Sequence, residues 1–174
     1  MSYPFFLGID PGVSGAFAVL NYLGEVACVG LWEDRDSFYK FENLKDIKSC
    51  ALEKVGAMPG QGVCSMFTFG QNFGHWLGTL EILKIPYGLV TPQRWQKEVL
   101  DFIPTKEAKK LEETKKEYQS RLARNKNVRK GEIVAFVLRR YPDLYHLLKV
   151  KKNWGIADAI CLALYARSKV DRWE

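Results

Sequence analysis

Three short apolar runs open the chain, Phe5–Ile9, Ala16–Asn21 and Val26–Leu31, joined by turns that contain glycine. Runs of this length between turn residues predict three successive strands in an antiparallel meander. Cys50–Val55 predicts a fourth strand and Pro86–Val90 a short fifth. Between them the period changes. Met66, Phe69, Phe73, Trp76, Leu77 and Leu80 recur every three or four residues, so Ser65–Leu83 predicts a helix. Thr91-Pro92 supplies a cap and a first-turn proline for the next helix. Thr105–Leu122 reads as a charged helix with a thin apolar stripe of Ala108, Leu111, Tyr118 and Leu122. Glu132–Arg140 reads as another, ending before Pro142. Gly155–Ser168 is apolar nearly all round and should be buried. This order predicts an α/β fold: a mixed five-stranded sheet, its first three strands antiparallel, flanked by helices. Nothing in residues 1–174 reads as a linker, a repeat or a low-complexity tract, so a single domain is expected.

Composition changes the picture in one place. No apolar run approaches the length of a membrane span. The apolar start lacks a basic leader, so no secretory signal is expected. Cys28, Cys50, Cys64 and Cys161 are scattered without a metal or disulfide spacing and read as thiols in a reducing compartment. A cytoplasmic setting follows. The net charge is +6. Residues 105–130 carry ten Lys or Arg against four Glu, so this stretch alone accounts for the whole excess. Such a face is either solvated or the footprint of a polyanion.

Three carboxylates interrupt apolar elements. Asp10 ends the first strand and opens the turn Pro11-Gly12-Val13-Ser14-Gly15. Glu53 lies between Leu52 and Val55 on the fourth strand, and Asp158 lies near the start of the last helix. A buried charge needs a partner, a cation or a metal. Each acid has a plain structural reading, as an edge polar group or a helix-dipole partner. Together they suggest hard oxygen ligands for Mg²⁺ or Mn²⁺ and two-metal phosphoryl chemistry.

The segment Gly8-Ile9-Asp10-Pro11-Gly12-Val13-Ser14-Gly15, the strand acid Glu53 and the late Ala157-Asp158-Ala159 resemble the RuvC-type Holliday junction resolvases of the RNase H-like superfamily. The segments 58–67 and 90–95 are closest to the set carried by bacteriophages. The resemblance implies an RNase H-like sheet and a homodimer acting on branched DNA, four-way junctions above all. It also implies paired nicks that leave 5′-phosphate and 3′-hydroxyl ends, with Mg²⁺ or Mn²⁺, two per active site. Asp10, Glu53 and Asp158 carry over as catalytic metal ligands. The setting implied is a bacterial cell or a phage-infected host. The family's fourth acid is expected three or four positions before Asp158, where Gly155 and Trp154 stand. Asn153 is the nearest oxygen donor and becomes the candidate fourth ligand; Asp143 and His146 are the other candidates, and Gly155→Asp is expected to tighten metal binding.

DNA contacts are expected from Met58 and Phe67 at the junction, and from Arg94, Lys109, Lys115, Lys116, Arg121 and Lys151 at phosphates. Phe69 and Phe73 read as core. Ser65–Leu83 is the expected dimer helix, since a four-way junction is cut symmetrically. Three other readings compete. An actin-like phosphate-binding fold needs two copies of the domain and is too long for 174 residues. An RNase H-like nuclease acting on RNA would share the three acids. A non-catalytic nucleic-acid binder would explain the missing fourth.

Overall fold

The computed structural model describes residues 3–54, 56, 62–102, 104 and 112–170. Five strands form one sheet in the order β3-β2-β1-β4-β5: β1 (Phe5–Asp10), β2 (Ala16–Asn21), β3 (Val26–Leu31), β4 (Ile47–Glu53) and β5 (Tyr87–Val90). β1–β2 and β2–β3 pair antiparallel, β1–β4 and β4–β5 parallel. The sheet is therefore mixed, and its first three strands form the meander the sequence predicts.

Side-chain alternation splits the core in two. Leu7, Ile9, Phe17, Val19, Cys50 and Leu52 point to one face, beneath α1 (Asp36–Tyr39) and α2 (Val63–Ile82), where they meet Phe38, Trp76 and Leu80. Phe6, Ala16, Ala18, Leu20 and Ala51 point to the other face. There they meet Trp95 of α3 (Pro92–Val99), Ile133, Val134 and Val137 of α4 (Lys115–Arg140), and most of α6 (Gly155–Arg167). A fourth helical piece on this side, α5 (Tyr145–Leu148), buries Leu148. Along each strand, parity decides which face a residue serves.

The long basic helix departs from its predicted form. Residues 105–111 lie outside the described residues, so the start of the expected Thr105–Leu122 helix does too. What is described is one continuous helix, α4, opened at Thr114 rather than two helices. Thr114 and Glu117 form a reciprocal capping box, which fixes that N-terminus. Gly131 lies inside it and does not break it. Tyr118 and Leu122, the expected apolar stripe, are exposed, and the buried positions of this half are Arg121 and Asn125 instead. β4 begins three residues earlier than predicted and α2 two residues earlier. The short helices α1 and α5 carry too few periodic positions to be seen in the sequence.

Candidate active site

The three acids reach one place because of parity and one close approach. Asp10 shares the α6 face of β1 with Phe6 and Gly8. Glu53 shares the same face of β4 with Ala51. The parallel register Gly8↔Ala51 and Ile9↔Leu52 brings the two strand ends level. Gly8 then admits α6: a Cβ there would sit 2.1 Å from the Ala159 carbonyl oxygen and 2.2 Å from the Ala163 nitrogen. Only a residue without a side chain lets the helix lie so near, and Asp158 precedes Ala159 on it. Asp10 and Asp158 are both buried, at 8% and 7% exposure, which makes their charges costly.

Each carboxylate is held. The Gly12 N–H donates to Asp10 Oδ1 at 3.0 Å. The Trp95 indole N–H donates to Glu53 Oε1 at 2.9 Å. Lys130 Nζ lies 3.0 Å from Asp158 Oδ2. Burial, with the charge of Asp158 added, pushes the Asp10 carboxyl up to about 6; Lys130, the Gly12 N–H and Lys126 act against that. Burial and then the charge of Asp10 push Glu53 up to about 8, against the Trp95 hydrogen bond. Burial also raises Asp158, opposed by Lys130 and Lys126. Burial disfavours the Lys130 ammonium, but the carboxylates of Asp158, Asp10 and Glu53 outweigh it and hold the lysine charged. The three acids and two lysines of α4 thus form one electrostatic unit. Their mutual repulsion is a demand for positive charge.

Lys130, Lys126 and Trp95 were not singled out as site residues from the sequence. The i, i+4 spacing of Lys126 and Lys130 in the basic run was the available signal for the pair. For Trp95 it was an aromatic residue one turn into a capped helix.

The other predicted residues separate clearly. Asn153 turns its amide away, donating from Nδ2 to the Leu147 carbonyl at 2.9 Å. Trp154 donates to the Leu148 carbonyl. Asp143 and His146 are exposed, and His146 Nδ1 lies 2.7 Å from the Asp143 carbonyl oxygen. Gly155 is the informative position. A Cβ there would lie 3.4 Å from Asp10 Oδ2 but only 2.6 Å from the Ser14 carbonyl oxygen. The backbone of the turn blocks any side chain, so the expected benefit of Gly155→Asp is withdrawn on steric grounds. Phe67 is 69% exposed on α2, while Phe69 and Phe73 are half-buried. Lys115 and Lys116 are exposed at the start of α4, Lys151 is exposed with its ammonium 5.5 Å from the Trp154 ring centre, and Arg94 is exposed beside Glu98 at 3.6 Å. Arg121 is a correction. It is buried, and its guanidinium makes a bidentate pair with Glu113, with Nε 2.9 Å from Oε1 and Nη2 3.0 Å from Oε2. A cation spent on a buried carboxylate is not presented to a phosphate. Met58 and Lys109 lie outside the described residues.

No family model and no curated protein matches the chain. A solved structure does: T. thermophilus RuvC in complex with a Holliday junction substrate. The TM-score is 0.51 at 14% sequence identity, over 97% of this chain and 98% of that one. The fold is RuvC-like. At that identity the likeness concerns the path of the backbone.

The donor set suits a hard divalent cation: oxygen ligands only, buried, and in anionic excess once ionised. Among the described residues, no three Asp, Glu, His or Cys side chains converge closely enough to form a ready ligand cage. The Lys130 ammonium lies on Asp158, and Gly155 adds no donor. With three carboxylates and Lys130 counted, one divalent ion would balance the charge, and a second would find fewer ligands. No described helix is long and apolar enough to cross a membrane.

Proposed function

We propose that this protein is a divalent-metal-dependent endonuclease that cuts branched DNA, four-way junctions foremost, by paired nicks leaving 5′-phosphate and 3′-hydroxyl ends. The observation that supports the reading is that Asp10, Glu53 and Asp158, from three separate elements, lie near enough for the charge of one to raise another, with Lys130 paired to Asp158. We take Mg²⁺ or Mn²⁺ as the cofactor, and a phage-type relative as the source of the motif segments. Asp10, Glu53 and Asp158 would hold the metal. Bound there, it would activate a water and neutralise charge on the phosphate. The Gly12 N–H orients Asp10, and the Trp95 N–H orients Glu53. The Lys130 ammonium, paired with Asp158 Oδ2 at 3.0 Å, would offset part of the repulsion among the three carboxylates.

Phosphates would be gripped by Lys115, Lys116 and Lys126 on α4, with Lys151 flanking. The exposed Phe67 is the candidate for stacking on an unpaired base. We propose a homodimer built on α2. Its outer face carries Val63 at 84%, Phe67 at 69% and Ile82 at 81% exposure. Gly70, Gly74 and Gly78 lie along it, and a Cβ at any of the three would meet nothing within 4 Å. Small residues at this spacing let a second helix come close.

Cleavage of a synthetic four-way junction with Mg²⁺ or Mn²⁺, beside linear duplex and structured RNA, tests the reading. Junction-selective nicking lost in Asp10→Asn supports it. Preference for RNA would move the protein to another RNase H-like activity. Metal-independent binding with no cleavage would leave a nucleic-acid binder, the second reading, which Gly155 favours. Lys115→Glu with Lys116→Glu should lower the salt slope of junction binding by nearly 2, since each phosphate contact contributes about 0.9; a filter-binding salt series measures it.

A further inference from the structure

Asn72 is 3% exposed on a helix whose neighbouring positions Gly70, Gln71, Gly74 and His75 are open to solvent. Trp76 and Leu80, one and two turns on, belong to the core beneath the sheet. Asn72 Nδ2 donates to the Gly12 carbonyl oxygen at 3.1 Å. That carbonyl also accepts the Gly15 N–H at 2.9 Å. The N–H of the same Gly12 is the donor that fixes Asp10 Oδ1. Gly12 itself is pressed on the carboxylate, since a Cβ there would lie 3.1 Å from Asp10 Oδ1. A short chain of hydrogen bonds therefore runs from Asn72 through the Gly12 residue to the carboxylate of Asp10.

We propose that Asn72 is a positioning residue for Asp10, tying the metal-site turn to α2 so that divalent-metal affinity depends on its amide. The proposal rests on Asp10 being a metal ligand, as argued above. Without the Asn72 donor, the Gly12 carbonyl keeps only the Gly15 N–H. The Gly12 peptide is then free to tilt, and with it the N–H that sets the Asp10 rotamer. Groups that orient a metal ligand from behind typically alter metal affinity by 10–100-fold when removed. Asn72 reaches Asp10 through Gly12, so its effect should fall on metal binding and turnover rather than on DNA affinity.

The test is calorimetric titration of Mn²⁺ into the DNA-free protein, with junction affinity and KM and kcat measured alongside. Asn72→Leu keeps the branching and heavy-atom count of the side chain and removes the donor. Asn72→Ser leaves a small void instead and serves if the leucine variant does not fold. Thr79→Val is the control: Thr79 is buried on the same helix and bonds Tyr39 at 2.9 Å, away from the turn. The expected result is Mn²⁺ binding at least about tenfold weaker in either Asn72 variant, unchanged in Thr79→Val, with junction affinity intact in all three. Mn²⁺ binding at wild-type strength in the Asn72 variants overturns the proposal. Equal loss in Thr79→Val also overturns it, because the effect would then belong to α2 packing. Wild-type protein that binds no Mn²⁺, or binds it equally after Asp10→Asn, brings down the metal-site reading itself and this proposal with it.

Discussion

Glycine does opposite things on the two sides of this sheet. Under α6, Gly8 removes a side chain so that the helix can lie almost on the strand, and the result is a closed, fully packed face ending in three acids. On α2, Gly70, Gly74 and Gly78 clear space that nothing among the described residues fills. A glycine inside a helix costs about 1 kcal/mol relative to alanine. The inward glycine is explained by the fold that contains it. The outward three weaken their own helix with no packing return among the described residues, which fits the dimer proposed above.

The largest effect should come from the chemistry of the packed face. Asp10→Asn is expected to lower cleavage by on the order of a thousandfold while junction binding by gel shift is retained. A variant that folds, binds and still cuts would detach the acids from the reaction. Gly8→Ala should follow. Its methyl group meets backbone on both sides, and overpacking of this kind costs about 3 kcal/mol or more, read from the urea midpoint. A stable Gly8→Ala would show that α6 can retreat, and the contrast between the two glycine sets would weaken.

The third effect separates the packed face by its charge. Asp10 and Glu53 hold protons up to about 6 and about 8 when folded, against 3.8 and 4.5 otherwise. The folded, metal-free protein therefore binds more protons than the unfolded chain between these limits. Their contribution to stability is fullest below about pH 4 and is lost as pH rises through 6 and then 8. A divalent ion takes the ionised carboxylates, so its effect has the opposite sign. The rise in melting temperature on adding Mn²⁺ should be greater at about pH 8.5 than at about pH 5.5. An equal rise at both would place the ion elsewhere. The smallest effect belongs to α2. Gly74→Ala should stabilise the isolated subunit by up to about 1 kcal/mol and loosen the dimer, seen by sedimentation at falling concentration. A tighter or unchanged dimer would mean that α2 meets no second copy through its glycines.

The strands and the three acids could be read directly from the sequence because both are local signals. An apolar run bounded by glycine needs no knowledge of the rest of the chain, and a lone carboxylate on such a run is conspicuous. What escaped depends on distant pairing. Arg121 reads as a phosphate contact among other cations, since its partner Glu113 stands eight positions upstream, outside the reach of helix spacing. Lys130 belongs to the site only because α4 packs near α6. The join between the two predicted basic helices was missed because Gly131 resembles a stop, whereas it sits beside Trp154 within the helix. Thr114 and Glu117 held the true start in their S/T-x-x-E spacing.

Gly155 constrains how this molecule could change over generations. A carboxylate cannot be gained at position 155 by one substitution, because any side chain there strikes the Ser14 carbonyl. The turn 10–15 would have to move first, and that turn is fastened by Gly15, Asn72 and Asp10 itself.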